Sequence, residues 1–581
     1  MAVFDGGDRS KIIIDDTQSL NCIIEAAENV QGHTVYVMKV HRGHSSENSW
    51  QITRRYSDFD TLNNLLLCSG IDLPLPPKKV FGKLEREFVA ERQQGLQGYI
   101  NFLLSHPMLA ATIHVKKFLD PTSYSFNFVE ISLQHVSMVF RSEPQWEVVE
   151  PLLDIGWRLR KQYFSIKSKN QPKKRFVLSW MAIGPDMHLN EKDLISAVKL
   201  LGNVQHPYIH PVTMCSVSSN GCLVIYEYLE NGSLRDLLCK TKPGAHFLKK
   251  YCNPKNYSVL ELSKIKTFGS HILLALKFLH DRGFYHGSIH AGNVAIVDGK
   301  CKLLDVFNGT LGVNCFLRPY YLQIKKVQSM ENVDIYCFGH LLYEMAFGVP
   351  LYSSYCDHLP NSCPPELRSI LELILSKAAL KIGVPSISDV LQHPFFANSS
   401  NDIEKIHFKV SSQLKENLKQ ARHLAEQRLK SEQKSIRHSK RLSKVQAQLS
   451  SEDERKKRSH ERRKKNNSDI ATSTSSERSQ TSTPTDTVTD NPSSPSIVLN
   501  SDSTDASNKM SQQNLQAPVP PPPPPLPQAP LMSPPPPPPP PPASSNGTNS
   551  SGRAALLNSI QGFNKTILKK AETKDCSVPK I

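Results

Sequence analysis

The C-terminal third of this chain limits most strongly where a folded core can form. Residues 466–514 are rich in Ser and Thr and contain no aromatic residue, and unbroken proline runs follow at residues 520–525 and 534–542. Such a composition cannot bury enough apolar surface to fold, and proline runs favour the extended polyproline II conformation. We therefore expect a disordered linker over residues 466–547 and a folded core before residue 402.

A long basic helix is predicted between that core and the linker, over residues 402–465. The segment has no proline or glycine, and its leucines (Leu414, Leu418, Leu424 and Leu429) recur too irregularly for a coiled-coil seam. Part of the net charge of +17 lies here, in the basic stretches 454–458 and 462–465. These stretches fit a nuclear address, an anionic lipid surface or a plain solvated helix. No aromatic residues are interleaved with them, so we expect no nucleic-acid binding.

The middle of the chain carries four motifs in a fixed order. They are a strand with the hinge and helix start that follow it, a strand leading into an Asp-Val-Phe sequence, an apolar helix, and a His-Pro-Phe-Phe terminus, at residues 223–234, 302–307, 334–345 and 393–396. Together they resemble a protein kinase domain. The resemblance implies a bilobal kinase-like fold over residues 130–396.

Several residues on which kinase chemistry depends differ in this sequence. In the resemblance, the segment from His286 to Asn293 is the catalytic loop, and Ser288 stands where an aspartate accepts the substrate proton. The strand 175–180 ends in Trp180 where the family has a lysine, and Ala197 replaces the glutamate that pairs with that lysine. These losses predict a pseudokinase with no catalytic residues. The alternative is a weakly active serine/threonine protein kinase targeted to membranes.

Residual nucleotide binding remains possible in this interpretation. Asn293 and Asp305 match the metal-holding positions of the family, so weak ATP binding is compatible with the sequence, although both residues also fit a purely structural role. His290 and Lys192 are candidates to replace lost groups, but solvated side chains are the simpler expectation. We predict no required cofactor and no dedicated metal site.

Three N-terminal motifs have a specific order and spacing. Residues 52–59, 73–82 and 91–96 are similar to a phox-homology (PX) domain, which implies a small β-sheet plus helices over residues 14–126. In that family the matching residues bind a phosphoinositide, here most simply phosphatidylinositol 3-phosphate. By this resemblance, Arg55 would contact the 3-phosphate, Tyr56 the inositol ring, Lys79 the 1-phosphate and Arg92 a ring hydroxyl. The alternative is that Arg55 is a solvated strand residue and Tyr56 a core aromatic.

The tail at residues 548–575 resembles a WASP-homology 2 actin-binding motif. Leu556, Leu557 and Ile560 would share one face of a short helix that enters a hydrophobic cleft. The resemblance implies further contacts from the extension that contains Leu568, Lys569 and Lys570. The preceding proline runs fit SH3-like, EVH1-like or profilin-like grooves, or act as a stiff spacer.

These predictions combine into a multidomain α+β chain that acts as an adaptor. It would bind phosphoinositides, actin and, through its pseudokinase surface, membrane proteins, with a role in endosomal trafficking or membrane-protein regulation. The scattered cysteines, the lack of a signal segment and the lack of a spanning apolar run predict a cytoplasmic protein, peripheral on endosomal or plasma membrane. A further alternative is an actin regulator with accessory membrane targeting.

Overall fold

The computed structural model of the chain describes residues 15–43, 48–78, 86–397 and 406–471. Lys79, residues 472–547 of the predicted linker and the predicted actin-binding tail lie outside the described residues. Residues 466–471, which we expected to belong to the linker, are instead helical. Within the described ranges, no helix is both long enough and apolar enough to cross a bilayer.

An antiparallel three-stranded sheet opens the fold, with strands β1 (Leu20–Val30), β2 (His33–Arg42) and β3 (Ser49–Arg55) in that spatial order. Helices α1 (Tyr56–Leu66), α2 (Arg86–Ser105), α3 (Pro107–Ala110) and α4 (Ile113–Leu119) follow. Every second residue at the start of β1 is buried, because alternate side chains face the helices. The core between sheet and helices includes Phe59, Tyr99 and Leu96.

A second, five-stranded antiparallel sheet forms the smaller lobe of the next domain. Helix α5 (Phe128–Phe140) precedes strands β4 (Trp146–Pro151), β5 (Lys161–Ser168) and β6 (Phe176–Ala182). Helix α6 (Glu191–Gly202) then leads to β7 (Met214–Val217) and β8 (Gly221–Glu227), and the spatial order is β4-β5-β6-β8-β7. α5 packs on one face of this sheet, so the opposite face is available to form a cleft.

The larger lobe is mainly helical. It comprises α7 (Leu234–Leu238), α8 (Phe247–Tyr251), α9 (Leu262–His280), the hairpin β9 (Val294–Val297) and β10 (Lys300–Leu303), α10 (Arg318–Tyr321), α11 (Met330–Phe347), α12 (Pro365–Leu375), α13 (Lys377–Ile382) and α14 (Ile387–Gln392). α11 is almost wholly buried, and a Cβ at its Gly339 would lie 2.5 Å from Ile374 Cγ2 of α12. The prediction of a PX domain followed by a kinase-like fold is confirmed.

The last described helix, α15 (Ser412–Ala471), begins later than the sequence indicated, because residues 406–411 are not helical. Its first half is not a free, solvated helix. Leu414, Leu418 and Leu429 are buried in the core of the kinase-like domain, whereas Leu424 is 46% exposed. The leucine spacing is irregular because the helix packs on a globular surface and not against a second helix.

A cluster of buried charges links the segment before β1 to the kinase-like domain and to α15. Arg158 donates hydrogen bonds to Asp16 Oδ1 and to the Asn314 backbone carbonyl, each at 2.9 Å. Arg428 of α15 donates to Asp15 Oδ2 at 2.9 Å, and the Asn314 amide donates to the same oxygen. The N-terminal segment is therefore held between the kinase-like domain and α15 by ion pairs.

Candidate lipid-binding face and kinase-like cleft

Two neighbouring arginines at the end of β3 have different environments because successive strand residues face opposite sides. Arg54 donates from Nε and Nη2 to the Phe118 carbonyl at 3.0 and 2.5 Å and packs on the Phe118 ring. Arg55 is exposed, and its guanidinium forms no ion pair with another described residue. Its backbone N–H donates to Asp58 Oδ2 at 2.8 Å, which fixes the start of α1. Arg55 is therefore the arginine available to a ligand.

Tyr56 and Arg92 lie together beside the proline turn that precedes Lys79. The Tyr56 hydroxyl donates to the Pro76 carbonyl at 2.5 Å, and the Arg92 guanidinium lies 4.4 Å from the centroid of the Tyr56 ring. Arg92 Nη2 donates to the Pro77 carbonyl at 3.2 Å, while its buried Nε has no hydrogen-bond partner among the described residues. Tyr56 is half-buried and contacts the domain core, so it belongs partly to the core, and its predicted contact with the inositol ring stays a prediction.

The cleft between the two lobes has a volume of about 160 Å³ and is lined by Ser288, His290, Asn293 and Asp305, among others. The loop that carries Ser288 is anchored by Asp334, whose carboxylate accepts from two backbone N–H groups at 2.8 Å each. The Asn293 amide donates to the Ser288 carbonyl at 2.9 Å, so Asn293 has a structural role as well as a place in the cleft. No carboxylate stands at Ser288.

The two candidate substitutes for lost catalytic groups differ from each other. His290 is buried, so the expectation that its side chain is solvated was wrong. Burial, together with the nearby Arg235 charge, holds the pKa of His290 well below its usual value. A neutral imidazole therefore lines the cleft. Lys192 is exposed on α6 and does not line the cleft, in agreement with the solvated interpretation.

The position assigned to Trp180 needs correction. Val177 and Met181 of β6 line the cleft, whereas Trp180 points to the other face and stacks on His135 of α5, with ring centroids 5.2 Å apart and planes 3° from parallel. Trp180 therefore does not occupy the place of a cleft lysine, although β6 contains no lysine at all. Ala197 is fully buried on α6, as an apolar core residue.

Sequence reasoning missed a lysine that reaches the cleft from the neighbouring strand. Lys161, at the start of β5, forms a buried ion pair with Asp305 and is the cross-strand partner of Met181. Burial opposes the charged form, but the Asp305 carboxylate outweighs it and raises the pKa of Lys161. Asp305 itself adopts a left-handed backbone conformation, with φ of 55°. The one signal in the sequence was the basic run Arg158-Leu159-Arg160-Lys161.

Three family models match the chain. They are the PX domain at residues 42–122, the protein kinase domain at residues 167–396 and the WH2 motif at residues 549–578. The "PX domain-containing protein kinase-like protein" of Mus musculus is 50% identical over 448 residues, which cover 77% of each chain. The chain belongs to this family. Its rat counterpart, from Rattus norvegicus, is 49% identical over the same length.

Two other relatives match less than half of the chain. The "Slowpoke-binding protein" of Drosophila melanogaster is 34% identical over 218 residues, or 36% of this chain and 42% of that protein. The "Probable inactive serine/threonine-protein kinase slob1" of Dictyostelium discoideum is 30% identical over 288 residues, or 44% and 48% of the two chains. Over part of its length the chain is thus similar to a protein whose name marks it as a probable inactive kinase.

Proposed function

We propose that this chain is a phosphoinositide-binding and actin-binding adaptor with a catalytically defective kinase domain. It acts at the cytoplasmic face of endosomal or plasma membranes, in trafficking or in the regulation of membrane proteins. The observation that carries the proposal is the exposed Arg55 guanidinium, which has no ion pair among the described residues and stands next to Tyr56. No cofactor is required for this role.

The PX face, which we define as the surface that carries Arg55, Tyr56 and Arg92, has two guanidinium groups that support a phosphate ligand. An arginine presents a planar set of N–H donors that can bind two phosphate oxygens at once, and such charge-assisted hydrogen bonds are stronger than neutral ones. Arg92 adds a buried Nε with no partner among the described residues, and its guanidinium lies 4.4 Å from the centroid of the Tyr56 ring. With Lys79 following the same proline turn, this arrangement favours phosphatidylinositol 3-phosphate.

The kinase-like domain contributes a binding surface in this proposal. Ser288 cannot act as a carboxylate base, and general base catalysis typically contributes about 10²–10⁴-fold to a rate. A relative that matches 36% of this chain is named for binding Slowpoke, which supports a protein as the partner of this chain. The WH2 motif supports binding of monomeric actin through Leu556, Leu557, Ile560, Leu568, Lys569 and Lys570, and the proline runs support SH3-like, EVH1-like or profilin-like partners.

Liposome sedimentation of the full chain tests the lipid part of the proposal. Arg55→Ala should weaken binding to vesicles that contain phosphatidylinositol 3-phosphate by about 2 kcal/mol or more, because a charge-assisted fork is lost. Lys117→Ala is the matched control, since Lys117 is an exposed cation of the same domain on α4. Equal affinity of Arg55→Ala and the wild type would reject the assignment.

One observation favours a second candidate, a weakly active protein kinase. The Lys161–Asp305 ion pair keeps a cation in the cleft, although β6 lacks the lysine that the kinase family has on that strand. Phosphotransfer by the purified chain, compared with Asp305→Asn, separates the two functions. If the chain is an adaptor, it should show no turnover above that variant, whereas turnover of about 1 s⁻¹ or more that Asp305→Asn abolishes would establish the enzyme.

A further inference from the structure

The kinase-like cleft contains a cation that comes from an unexpected strand. Lys161 lies on β5, the second strand of the smaller lobe. The kinase family has its lysine on the third strand, which is β6 here, and β6 contains no lysine. Its ammonium is buried, reaches Asp305 across the cleft and lies 5.0 Å from the centroid of the Tyr163 ring. A buried lysine is costly unless it is paired, and Asp305 supplies that partner, so a cation is held within the cleft.

The geometry of the sheet shows how β5 can supply this cation. Lys161 and Met181 are cross-strand partners in the antiparallel ladder, so their side chains leave the same face of the sheet. Both line the cleft, together with Val177 of β6. A lysine at position 161 therefore projects into the space that a lysine at position 181 would also reach. Position 180 faces α5 and cannot do so.

The rest of the cleft has the features of a nucleoside site. Ile155, Val177 and Leu304 provide apolar walls on which a flat base can pack. The segment after β8 also lines the cleft and includes Leu229, whose backbone N–H donates no hydrogen bond to any described residue. A backbone N–H with no described partner and an ammonium, both in the lining of the cleft, fit a ligand with a heteroaromatic ring and a phosphate chain.

We propose that the cleft binds a nucleoside triphosphate and that Lys161 is the residue that contacts its phosphates, in place of a third-strand lysine. Ligand-free, the ammonium is held by Asp305; in the complex it donates to phosphate oxygens from the same position. The absence of a carboxylate at Ser288 leaves the bound ligand intact. This inference goes beyond the adaptor function, which needs no nucleotide.

Calorimetry of the full chain with ATP, with magnesium present in every sample, tests the assignment. Lys161→Met should weaken ATP binding about tenfold or more, since a hydrogen bond to a charged group is lost. Lys167→Met, which removes an exposed lysine of the same strand, should change the affinity less than about twofold. Wild-type affinity in Lys161→Met, or no ATP binding by the wild-type chain, would overturn the proposal.

A lysine transfer makes the test independent of simple damage to the cleft. Lys161→Met/Met181→Lys moves the cation across one rung of the sheet and should recover most of the affinity. Lys161→Met/Trp180→Lys places a lysine on the opposite face and should not. Equal recovery in both double variants would contradict the assigned geometry. If Lys161→Met alone fails to fold, the Met181→Lys double variant decides, because a folded protein that does not bind ATP rejects the proposal.

Discussion

The PX face and the kinase-like cleft each present a basic side chain, but in opposite electrostatic states. Arg55 is exposed and has no ion pair among the described residues, whereas Lys161 is buried and paired with Asp305. An open cation can be removed without leaving a buried partner, and a paired one cannot. The comparison separates a surface that is ready for an external anion from a cleft that is electrically balanced when empty.

The largest effect expected from this difference is on stability in the cleft. Asp305→Ala leaves the Lys161 ammonium buried without an anion, and should lower the free energy of unfolding by about 3–5 kcal/mol. Arg55→Ala should change it by less than about 0.5 kcal/mol, as for most exposed positions. Urea denaturation followed by tryptophan fluorescence measures both. Similar small losses in the two variants would remove the distinction between the sites.

A second effect concerns the charge cluster that joins the N-terminal segment to the kinase-like domain. Burial alone would raise the pKa of Asp15, but Arg318 and Arg428 with the Thr17 hydrogen bonds lower it from 3.8 to about 2. A carboxyl with a lowered pKa stabilises the fold above its unfolded pKa and loses that contribution as the pH falls towards 2. Asp15→Asn should therefore cost about 2 kcal/mol at pH 7.

The pH dependence of that loss provides the control. The difference in unfolding free energy between the wild type and Asp15→Asn should be constant above about pH 5 and shrink between pH 4 and pH 2. Thermal unfolding across this range measures the difference. A gap between the two proteins that stays the same down to pH 2 would show that Asp15 does not act through its charge.

The smallest effect sharpens the comparison within the PX domain. Arg54 is bonded to the Phe118 carbonyl of α4, so Arg54→Ala should cost about 1 kcal/mol of stability. Its affinity for vesicles with phosphatidylinositol 3-phosphate should remain that of the wild type. Arg55→Ala is the mirror case, with affinity lost and stability kept. If Arg54→Ala loses lipid binding without loss of stability, the roles of the two arginines are reversed.

The two domains could be predicted from sequence because their motifs encode local turns and strand ends whose order along the chain is specific. Side-chain direction was harder. A displacement of one residue along β6 exchanges the two faces of the strand, so Trp180 was assigned to the cleft when Met181 lines it. The motif predicted that a strand forms here, but it did not predict which residues of the strand face the cleft.

Lys161 and α15 show what sequence patterns leave out. The link between Lys161 and Asp305 joins residues 144 positions apart and depends on the pairing of β5 with β6. Likewise, Leu414 and Leu429 gave no regular repeat, because the surface they contact is formed by several elements of the kinase-like domain. Both contacts are tertiary, and no local periodicity records them.

In our proposal, one chain links a phosphoinositide membrane to actin. Flotation of vesicles with the full chain and latrunculin-bound monomeric actin tests it directly. Actin should rise with vesicles that contain phosphatidylinositol 3-phosphate only when the chain is present, and Arg55→Ala should leave both proteins at the bottom. Leu557→Asp/Ile560→Asp places charges in an apolar cleft, so the chain should float without actin. Two results would rule out this link between membrane and actin. One is actin that floats equally well with either variant, and the other is a wild-type chain that floats with the vesicles while actin stays at the bottom.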